Sequence, residues 1–340
     1  MECLMPIAFT DILKARQRIA PYVRRTPLAE SPVLSDRAGR PVTLKLEHYQ
    51  TTGAFKLRGA TNAVLALSED ERAAGVTAAS TGNHGRALSH AARATGARAI
   101  ICMSKLVPDN KVRAIKALGA EARIIGMSQD DAQVEVDRLV SEGGMTMIPP
   151  FDHADVIAGQ GTIGIEILED APETGTVVVP LSGGGLIAGI ARAVKTLSPD
   201  AKVIGVTMDK GAAMHEALKA GHPVPVTELP SLADSLGGGI GENNAHTFEM
   251  VRDLVDEALL VTEAEIAEGI RFAYTEHGEV IEGAAAVGIA ALLAGKLQST
   301  GDDGTGPLTL LLSGKNIDPD LHRRIINGEN PDLEREAAHA

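Results

Sequence analysis

Residues 176–189 read TVVVPLSGGGLIAG, in which an apolar, mostly β-branched run leads into three consecutive glycines and a helical pattern. A short apolar run that ends at a glycine-rich turn is typical of a buried strand that leads into a helix. Glycines leave their backbone N–H groups open, and a helix start favours an anion. The stretch predicts either a phosphate site in residues 182–186, where a side chain at Gly184 would intrude on the phosphate, or a purely structural turn.

The spacing of these glycines argues against a dinucleotide. Leu186 and Ile187 interrupt the G-x-G-x-x-G pattern, and no acidic residue closes a following strand where it would bind a ribose. We therefore expect a single phosphate group in this loop rather than a nicotinamide cofactor.

Strand-like and helical patterns alternate on both sides of this stretch. The predicted strands are 42–46, 97–103, 122–125, 176–180, 202–206 and 308–312, and the predicted helices include 88–95, 110–118, 130–141, 156–168 and 186–197. Such alternation favours an α/β fold with parallel sheets covered on both faces. Residues 151–158 look like a connection, which predicts a large domain of 1–74 and 148–327, a small domain of 75–147 and a polar tail of 328–340.

Composition excludes several classes of protein. The net charge of −13 and the low aromatic content (5 Phe, 3 Tyr, no Trp) argue against a nucleic-acid partner. Two cysteines are too few for a disulfide framework or a structural zinc site. The longest apolar run, 284–294, is too short to span a bilayer. We expect a cytoplasmic protein without a membrane partner.

Three further segments carry chemically useful residues. In TTGAFKLRGA (51–60), Lys56 stands near a helix start between apolar neighbours. Both features disfavour the ammonium form and favour a nucleophilic amine, although an idle, solvated lysine is the alternative.

In STGNHG (80–85), polar side chains and successive amides at a strand-to-helix turn form an anion-binding nest or an ordinary helix cap. In LLSGKN (311–316), Ser313 ends the last strand and either faces a cleft or belongs to a turn.

The order of these four segments resembles the fold type II pyridoxal-phosphate enzymes, which include serine and threonine dehydratases and serine racemase. The string IAGQGT at 157–162 adds to a resemblance that covers about residues 12–326. It implies two open, twisted parallel-sheet domains with a cofactor cleft between them, pyridoxal 5′-phosphate as the cofactor, a small amino-acid substrate and a homodimer.

The resemblance also assigns roles to individual residues. Lys56 is implied to form the Schiff base with the cofactor. The other residues implied to hold the cofactor are Phe55, Asn83 at the phenolic oxygen, Gly183, Gly184, Gly185 and Leu186 at the phosphate, and Ser313 at the pyridine nitrogen. Those implied to surround the substrate carboxylate are Ser80, Thr81, Gly82 and His84.

Three positions depart from the family pattern. Ala54 replaces a serine of the usual GSFK motif. Thr81 stands where serine racemase has its acid/base serine, which implies a catalytic role for its hydroxyl; the added methyl restricts its rotamer, so we do not expect racemisation. Thr207 and Ala213 stand where the racemase has metal-binding carboxylates, which leaves Asp209 alone and predicts no metal there.

Longer strings are similar to the hydroxyectoine-utilisation dehydratases: 51–67, 79–88, 145–152, 203–214 and 232–244. This branch implies a lyase that converts a 3-hydroxy-2,4-diaminobutyrate-type substrate to a 2-oxo acid and ammonia. Within GMSQDD (126–131), Ser128, Gln129, Asp130 and Asp131 either contact the C4 group of that substrate or cap the following helix.

Other functions stay open at this point. The enzyme alternatives are an L-threonine or L-serine dehydratase, a 3-hydroxyaspartate dehydratase and a β-replacement enzyme. The alternative of another class is a protein that binds pyridoxal phosphate without turnover.

Overall fold

The computed structural model describes residues 7–80, 82–105, 107, 109–297 and 306–337, which fold into two α/β units. The strands are β1 Leu28–Glu30, β2 Val42–Lys45, β3 Val76–Ala79, β4 Ala99–Met103, β5 Glu121–Ile124, β6 Thr146–Met147, β7 Thr176–Pro180, β8 Lys202–Met208, β9 Glu257–Val261 and β10 Leu308–Leu311.

Helices separate most of these strands along the chain. They are α1 Phe9–Ile19, α2 Pro32–Ala38, α3 Lys56–Ala66, α4 Glu69–Ala74, α5 Asn83–Thr95, α6 Asp109–Ala117, α7 Gln129–Ser141, α8 Ala154–Asp170, α9 Gly185–Leu197, α10 Ala213–Ala220, α11 Thr247–Leu254, α12 Glu263–His277, α13 Gly283–Leu293, α14 Pro319–Ile326 and α15 Leu333–Ala337.

The larger sheet has the strand order β1-β2-β10-β7-β8-β9. All its strand pairs are parallel except β1 with β2, so an antiparallel strand forms one edge of an otherwise parallel sheet. Its strands are buried on both faces: Val178 packs with α13, whereas Val177 and Val179 pack with α8 and α9. This explains why β7 is a continuous apolar run rather than an alternating one.

The smaller sheet has the order β5-β4-β3-β6, is wholly parallel, and comes from residues 76–147. One of its faces packs on α5 and the other on α7. Leu57 and Ala60 of α3 also belong to the core of this unit, while α3 packs against α8 of the larger one. Since α3 contacts both units, the domain boundaries at 74/75 and 147/148 stay a prediction.

The predicted fold class is confirmed, and each of the six predicted strands is present within two residues of its predicted bounds. Of the other four strands, β3 was implied by the strand-to-helix turn predicted at 80–85, whereas the short strands β1 and β6 and the edge strand β9 were missed. The helix predicted at 88–95 begins at Asn83, because part of the predicted nest is its first turn. A short helix, α15, lies in the predicted tail.

No helix in the described part of the chain is long and apolar enough to cross a membrane. The cytoplasmic location and the homodimeric state, both expected from the sequence, stay predictions.

Candidate active site

A cavity of about 210 Å³ lies at the carboxyl ends of the strands, where the two units meet. Its lining brings together the predicted residues Phe55, Lys56, Ser80, Gly82, Asn83, His84, Gly183, Gly184, Gly185, Leu186 and Ser313. Thr81, which was predicted to be catalytic, lies outside the described residues. Parallel strands place their carboxyl ends at one edge, so segments distant in sequence converge there.

Lys56 is the first residue of α3, and its Nζ donates a hydrogen bond to the carbonyl oxygen of Pro150 at 2.5 Å. The Nζ lies 5.2 Å from the centroid of the Phe55 ring. Burial lowers the pKa of Lys56 to about 8, although the carboxylate of Glu282 opposes this shift. A substantial fraction of neutral, nucleophilic amine is therefore present near pH 8.

A buried ion cluster fixes the helix that carries Lys56. The guanidinium of Arg58 contacts Glu47 at 2.8 Å and Glu166 at 2.6 Å, and Lys45 contacts Glu166 at 2.7 Å. Burial alone would lower the pKa of Arg58, but the two carboxylates raise it. The cluster links β2, α3 and α8, which stops α3 from sliding relative to the larger sheet.

The glycine loop 182–186 connects β7 to α9 and fits a phosphate. None of the backbone N–H groups from 182 to 186 donates a hydrogen bond to any of the described residues. Open donors at a helix N-terminus form an anion site. Cβ atoms added at Gly183 and Gly185 would meet Phe151 at 2.5 and 2.7 Å, so close packing on Phe151 requires glycine at both positions.

Gly184 requires glycine for another reason. It caps α9 with φ of 89°, and a Cβ there would approach Met214 at 2.8 Å and Thr247 at 3.0 Å. The Cβ would point toward α10 and α11; that a side chain here would also intrude on the phosphate stays a prediction. A substitution would act on the loop by strain and displacement.

The start of α5 forms a second group of open donors. The hydroxyl oxygen of Ser80 accepts the N–H of Gly85 at 3.1 Å, whereas the N–H groups of Gly82, Asn83 and His84 have no acceptor among the described residues. This arrangement suits a carboxylate.

The side chain of His84 is unsuited to that role. Its ring Nε2 bonds the carbonyl oxygen of Ile148 at 2.7 Å, so Nε2 carries the hydrogen and Nδ1 is a buried acceptor without a partner in the described chain. Burial, together with the charge of Lys56, lowers the pKa of His84 to about 3. A neutral ring with a bare acceptor cannot attract a carboxylate, so only the backbone N–H of His84 is available.

Ser313 follows β10 and is 2% exposed. Its carbonyl oxygen accepts the N–H of Phe55 at 3.0 Å, which joins the two segments that carry cofactor residues. The hydroxyl of Ser313 has no protein partner among the described residues and lines the cavity. It is therefore free to bond a ligand.

Glu282 and Asn316 are the polar residues that the sequence analysis missed. Glu282 is 3% exposed, lines the cavity and accepts a hydrogen bond from Asn83 Nδ2 at 2.7 Å. Burial and the nearby Asp234 raise the pKa of Glu282 to about 7. The signal available in the sequence was a single acid in front of the apolar helix GAAAVGIAALL.

The predicted C4-binding segment at 126–131 does not line the cavity. The hydroxyl of Ser128 accepts the N–H of Asp131 at 3.1 Å, and Asp131 in turn accepts the N–H groups of Met127 and Ser128. The segment is a helix cap, and that side of the cavity is formed instead by residues 235–237.

The stretch with Thr207 shows no set of metal ligands: the Thr207 hydroxyl donates to Met208 Sδ. Among the residues that the structure describes, no group of three or more His, Cys, Asp or Glu side chains is close enough to hold a metal ion. The absence of a functional metal stays a prediction.

Comparison with known proteins agrees with this geometry. Residues 19–313 match the family described as pyridoxal-phosphate dependent enzyme. The chain is 60% identical over 328 residues to "Putative threonine dehydratase" of Sinorhizobium fredii, which covers 96% of this chain and 98% of that protein. It is 41% identical over 321 residues to the L-threonine ammonia-lyase of Thermotoga maritima, covering 94% of this chain and 78% of that protein.

Among solved structures, maize serine racemase superposes with a TM-score of 0.89 at 30% identity, covering 99% of this chain and all of the other. The open amides of 182–186, the lysine with a lowered pKa and the free Ser313 hydroxyl fit pyridoxal 5′-phosphate, which is the cofactor. The chain belongs to the pyridoxal-phosphate dependent enzymes, among the lyases related to threonine dehydratase.

Proposed function

We propose that this enzyme eliminates water from a 3-hydroxy-2-amino acid, and that hydrolysis of the resulting enamine gives a 2-oxo acid and ammonia. The observation that carries the proposal is one cavity lined by two groups of open amides, at 182–186 and 82–84, and by an amine with a lowered pKa. One group suits the cofactor phosphate and the other suits the substrate carboxylate.

These residues divide the work of the reaction. The amides of 82–84 bind the substrate carboxylate, and the loop 182–186 binds the cofactor phosphate. The cofactor, when bound, draws electrons from the substrate α-carbon. Lys56 takes the α-proton as a general base, for which its pKa of about 8 is well suited.

The β-hydroxyl then leaves with a proton as water. The released enamine hydrolyses to the 2-oxo acid and ammonia, which balances the reaction without an oxidant or reductant. Ser313 supports this outcome, since a neutral hydroxyl at the pyridine nitrogen gives a weaker electron sink and favours a brief carbanion.

For the substrate, we propose a 3-hydroxy-2,4-diaminobutyrate-type amino acid. Asp234 supports this choice of substrate. It directly precedes the cavity residues 235–237, and the side chain of Asp234 is 67% exposed. It lies 4.0 Å from Lys111 of α6, across the cleft. Asp234 does not itself line the cavity, but its carboxylate adjoins residues that do, where it would attract an ammonium group at C4 and offer the methyl group of threonine nothing to bond.

A 3-hydroxyaspartate is the second candidate, and Arg86 on α5 favours it. This half-buried side chain makes no hydrogen bond with the described residues, and its Nε is buried without a partner. Burial lowers the pKa of Arg86, while Glu282 opposes the shift. Arg86 does not itself line the cavity, but it follows the lining residues Asn83 and His84 on α5, and a second substrate carboxylate is the group that such a guanidinium would bind.

A panel assay tests the proposed reaction. Holoenzyme is incubated with threonine, serine, 3-hydroxyaspartate and a 3-hydroxy-2,4-diaminobutyrate, and ammonia and 2-oxo acid are measured. We expect the diaminobutyrate to give the highest kcat/KM and Lys56→Ala to lose turnover and covalently held cofactor. Lys219→Ala is the control, since Lys219 is exposed on α10.

Two results would count against the proposal at different levels. Threonine at a kcat/KM equal to that of the diaminobutyrate would remove the specific substrate and leave the dehydratase. Normal turnover by Lys56→Ala would remove the reaction as proposed.

A further inference from the structure

A closed ring of hydrogen bonds surrounds the side-chain amide of Asn83. The ring consists of Asn83, Asn316 and Glu282. The orientation of Asn316 is set from outside the ring by the carbonyl oxygen of Thr52, which accepts a hydrogen bond from Asn316 Nδ2 at 3.1 Å. A carbonyl oxygen can only accept, so this contact fixes which side-chain atom of Asn316 is the nitrogen. The same nitrogen also donates to Asn83 Oδ1 at 2.6 Å.

The Asn83 amide is thereby oriented as well. With Oδ1 occupied by Asn316, its Nδ2 donates to Glu282 Oε1 at 2.7 Å. The other carboxylate oxygen of Glu282 accepts the backbone N–H of Asn316 at 3.1 Å, which closes the ring. Asn83 Nδ2 retains one N–H with no acceptor among the described residues, and Asn83 lines the cavity.

Glu282 is not explained by a role in helix capping. It occupies the N-cap position of α13, yet its side chain accepts no bond from that helix. Both oxygens are instead used by Asn83, on the first turn of α5, and by Asn316, after β10. Burying a carboxylate at 3% exposure is costly unless its hydrogen bonds serve the site.

We propose that Glu282 and Asn316 are positioning residues that hold the Asn83 amide so that its free N–H meets the phenolic oxygen of the cofactor. The inference rests on the proposed function, in which pyridoxal phosphate is the cofactor, and on the contact between Asn83 and the phenolic oxygen that the family resemblance implies. Because Asn83 comes from α5 and its two partners from the larger unit, the ring also sets the position of α5 over the cofactor.

A double-mutant cycle on cofactor binding tests this inference. The dissociation constant of pyridoxal phosphate is measured on the apo forms of the wild type, Glu282→Gln, Asn83→Ala and the double variant. Glutamine keeps the shape but places a donor against Asn83 Nδ2 or the Asn316 N–H. We expect about tenfold weaker binding for Glu282→Gln, the effect of losing one ordinary hydrogen bond.

Comparing Glu282→Gln in the wild-type and Asn83→Ala backgrounds distinguishes a residue that positions Asn83 from one that only stabilises the protein. If Glu282 acts through Asn83, then Glu282→Gln should change the affinity less than about twofold in the Asn83→Ala background. The absorption maximum of the bound cofactor should shift in Glu282→Gln and not shift further in the double variant. Glu276→Gln is the matched control, since Glu276 is an exposed carboxylate on α12 that accepts no hydrogen bond from the described residues.

Asn316→Ala opens the ring from its other side and covers the case in which Glu282→Gln does not fold. It should weaken cofactor binding in the wild-type background and have no effect in the Asn83→Ala background.

Equal effects in both backgrounds, or unchanged affinity in Glu282→Gln and Asn316→Ala, would overturn the inference and leave the proposed reaction standing. Unchanged cofactor affinity in Asn83→Ala would overturn the inference together with the Asn83 assignment. Turnover of the wild type, measured on the same preparations, reports separately on the proposed reaction.

Discussion

At Lys56, two opposite effects act on one amine. Burial disfavours the charged form, and the carboxylate of Glu282 favours it. The effect of burial is the larger one, so the pKa of Lys56 falls to about 8 from the 10.5 of an exposed lysine. In the proposed reaction, a single residue with this pKa would both capture an aldehyde and accept a proton near neutral pH.

This balance predicts the pH dependence of cofactor capture by the apo-protein. Only the neutral amine attacks the aldehyde, so the rate should rise about tenfold per pH unit below 8 and level off above it. Stopped-flow absorbance after mixing with pyridoxal phosphate gives the rate. A free amino-acid amine is the comparison, and a protein profile that still climbs past pH 9.5 would contradict the assigned pKa.

The residues found from sequence and those that escaped it differ in how local their signals are. Lys56 and the triple glycine lie within short motifs whose chemistry can be interpreted from adjacent residues. Glu282 and Asn316 lie 199 and 233 positions from Asn83, and nothing near them in sequence shows that contact. Likewise, 126–131 has a motif that suits a ligand or a cap, and only the fold shows that it caps α7 and does not line the cavity.

Among the elements, the turn from β7 into α9 depends most on one residue. Gly184 has a positive φ and lies close to two neighbouring helices, so the turn has no room for a side chain. The open amides of 182–186 keep their direction only while this turn holds its shape.

Gly184→Ala should therefore lower both stability and cofactor affinity. The positive φ costs about 1–2 kcal/mol, and the 3.0 Å approach to Thr247 Cβ, which cannot swing away as the end of Met214 can, adds about 1–3 kcal/mol by overpacking. Urea unfolding of the apo-protein and a cofactor titration measure the two effects. Gly221→Ala is the control, because Gly221 has φ of 79° but nothing within 4 Å of an added Cβ; it should cost only the strain and leave affinity unchanged.

At the scale of the whole molecule, the buried ions around Arg58 join elements from three parts of the chain. Glu47 follows β2, Arg58 lies on α3 and Glu166 lies on α8. The pairs are shielded from water, so their loss cannot be compensated by solvent as it is at the surface.

Arg58→Met should destabilise the protein by about 3–5 kcal/mol, because it leaves two buried carboxylates with only Lys45 to balance them. Chemical denaturation measures the change. Arg98→Met removes an exposed partner of Glu121 and should cost at most about 1 kcal/mol. Equal effects of the two substitutions would show that the buried cluster is not a special source of stability.

The sheet topology was only partly accessible from sequence. Apolar runs identified β7, β8 and β10, because fully buried strands need no alternation. The edge strand β9 is half-buried along most of its length, and β1 and β6 have three and two residues, too few for a periodic signal. The strand order depends on long-range pairing, which no local pattern encodes.

The position of β10 has a consequence for biosynthesis. β10 begins at Leu308, yet it lies between β2 and β7 in the middle of the larger sheet. While the ribosome elongates the chain, that sheet has two unpaired inner edges, which are the kind of surface that invites aggregation. The smaller sheet is built from consecutive residues 76–147, so all its strands can pair before the rest of the chain is synthesised. Ser313 is synthesised directly after β10. A nascent chain therefore completes its cofactor cavity only when β10 inserts between β2 and β7.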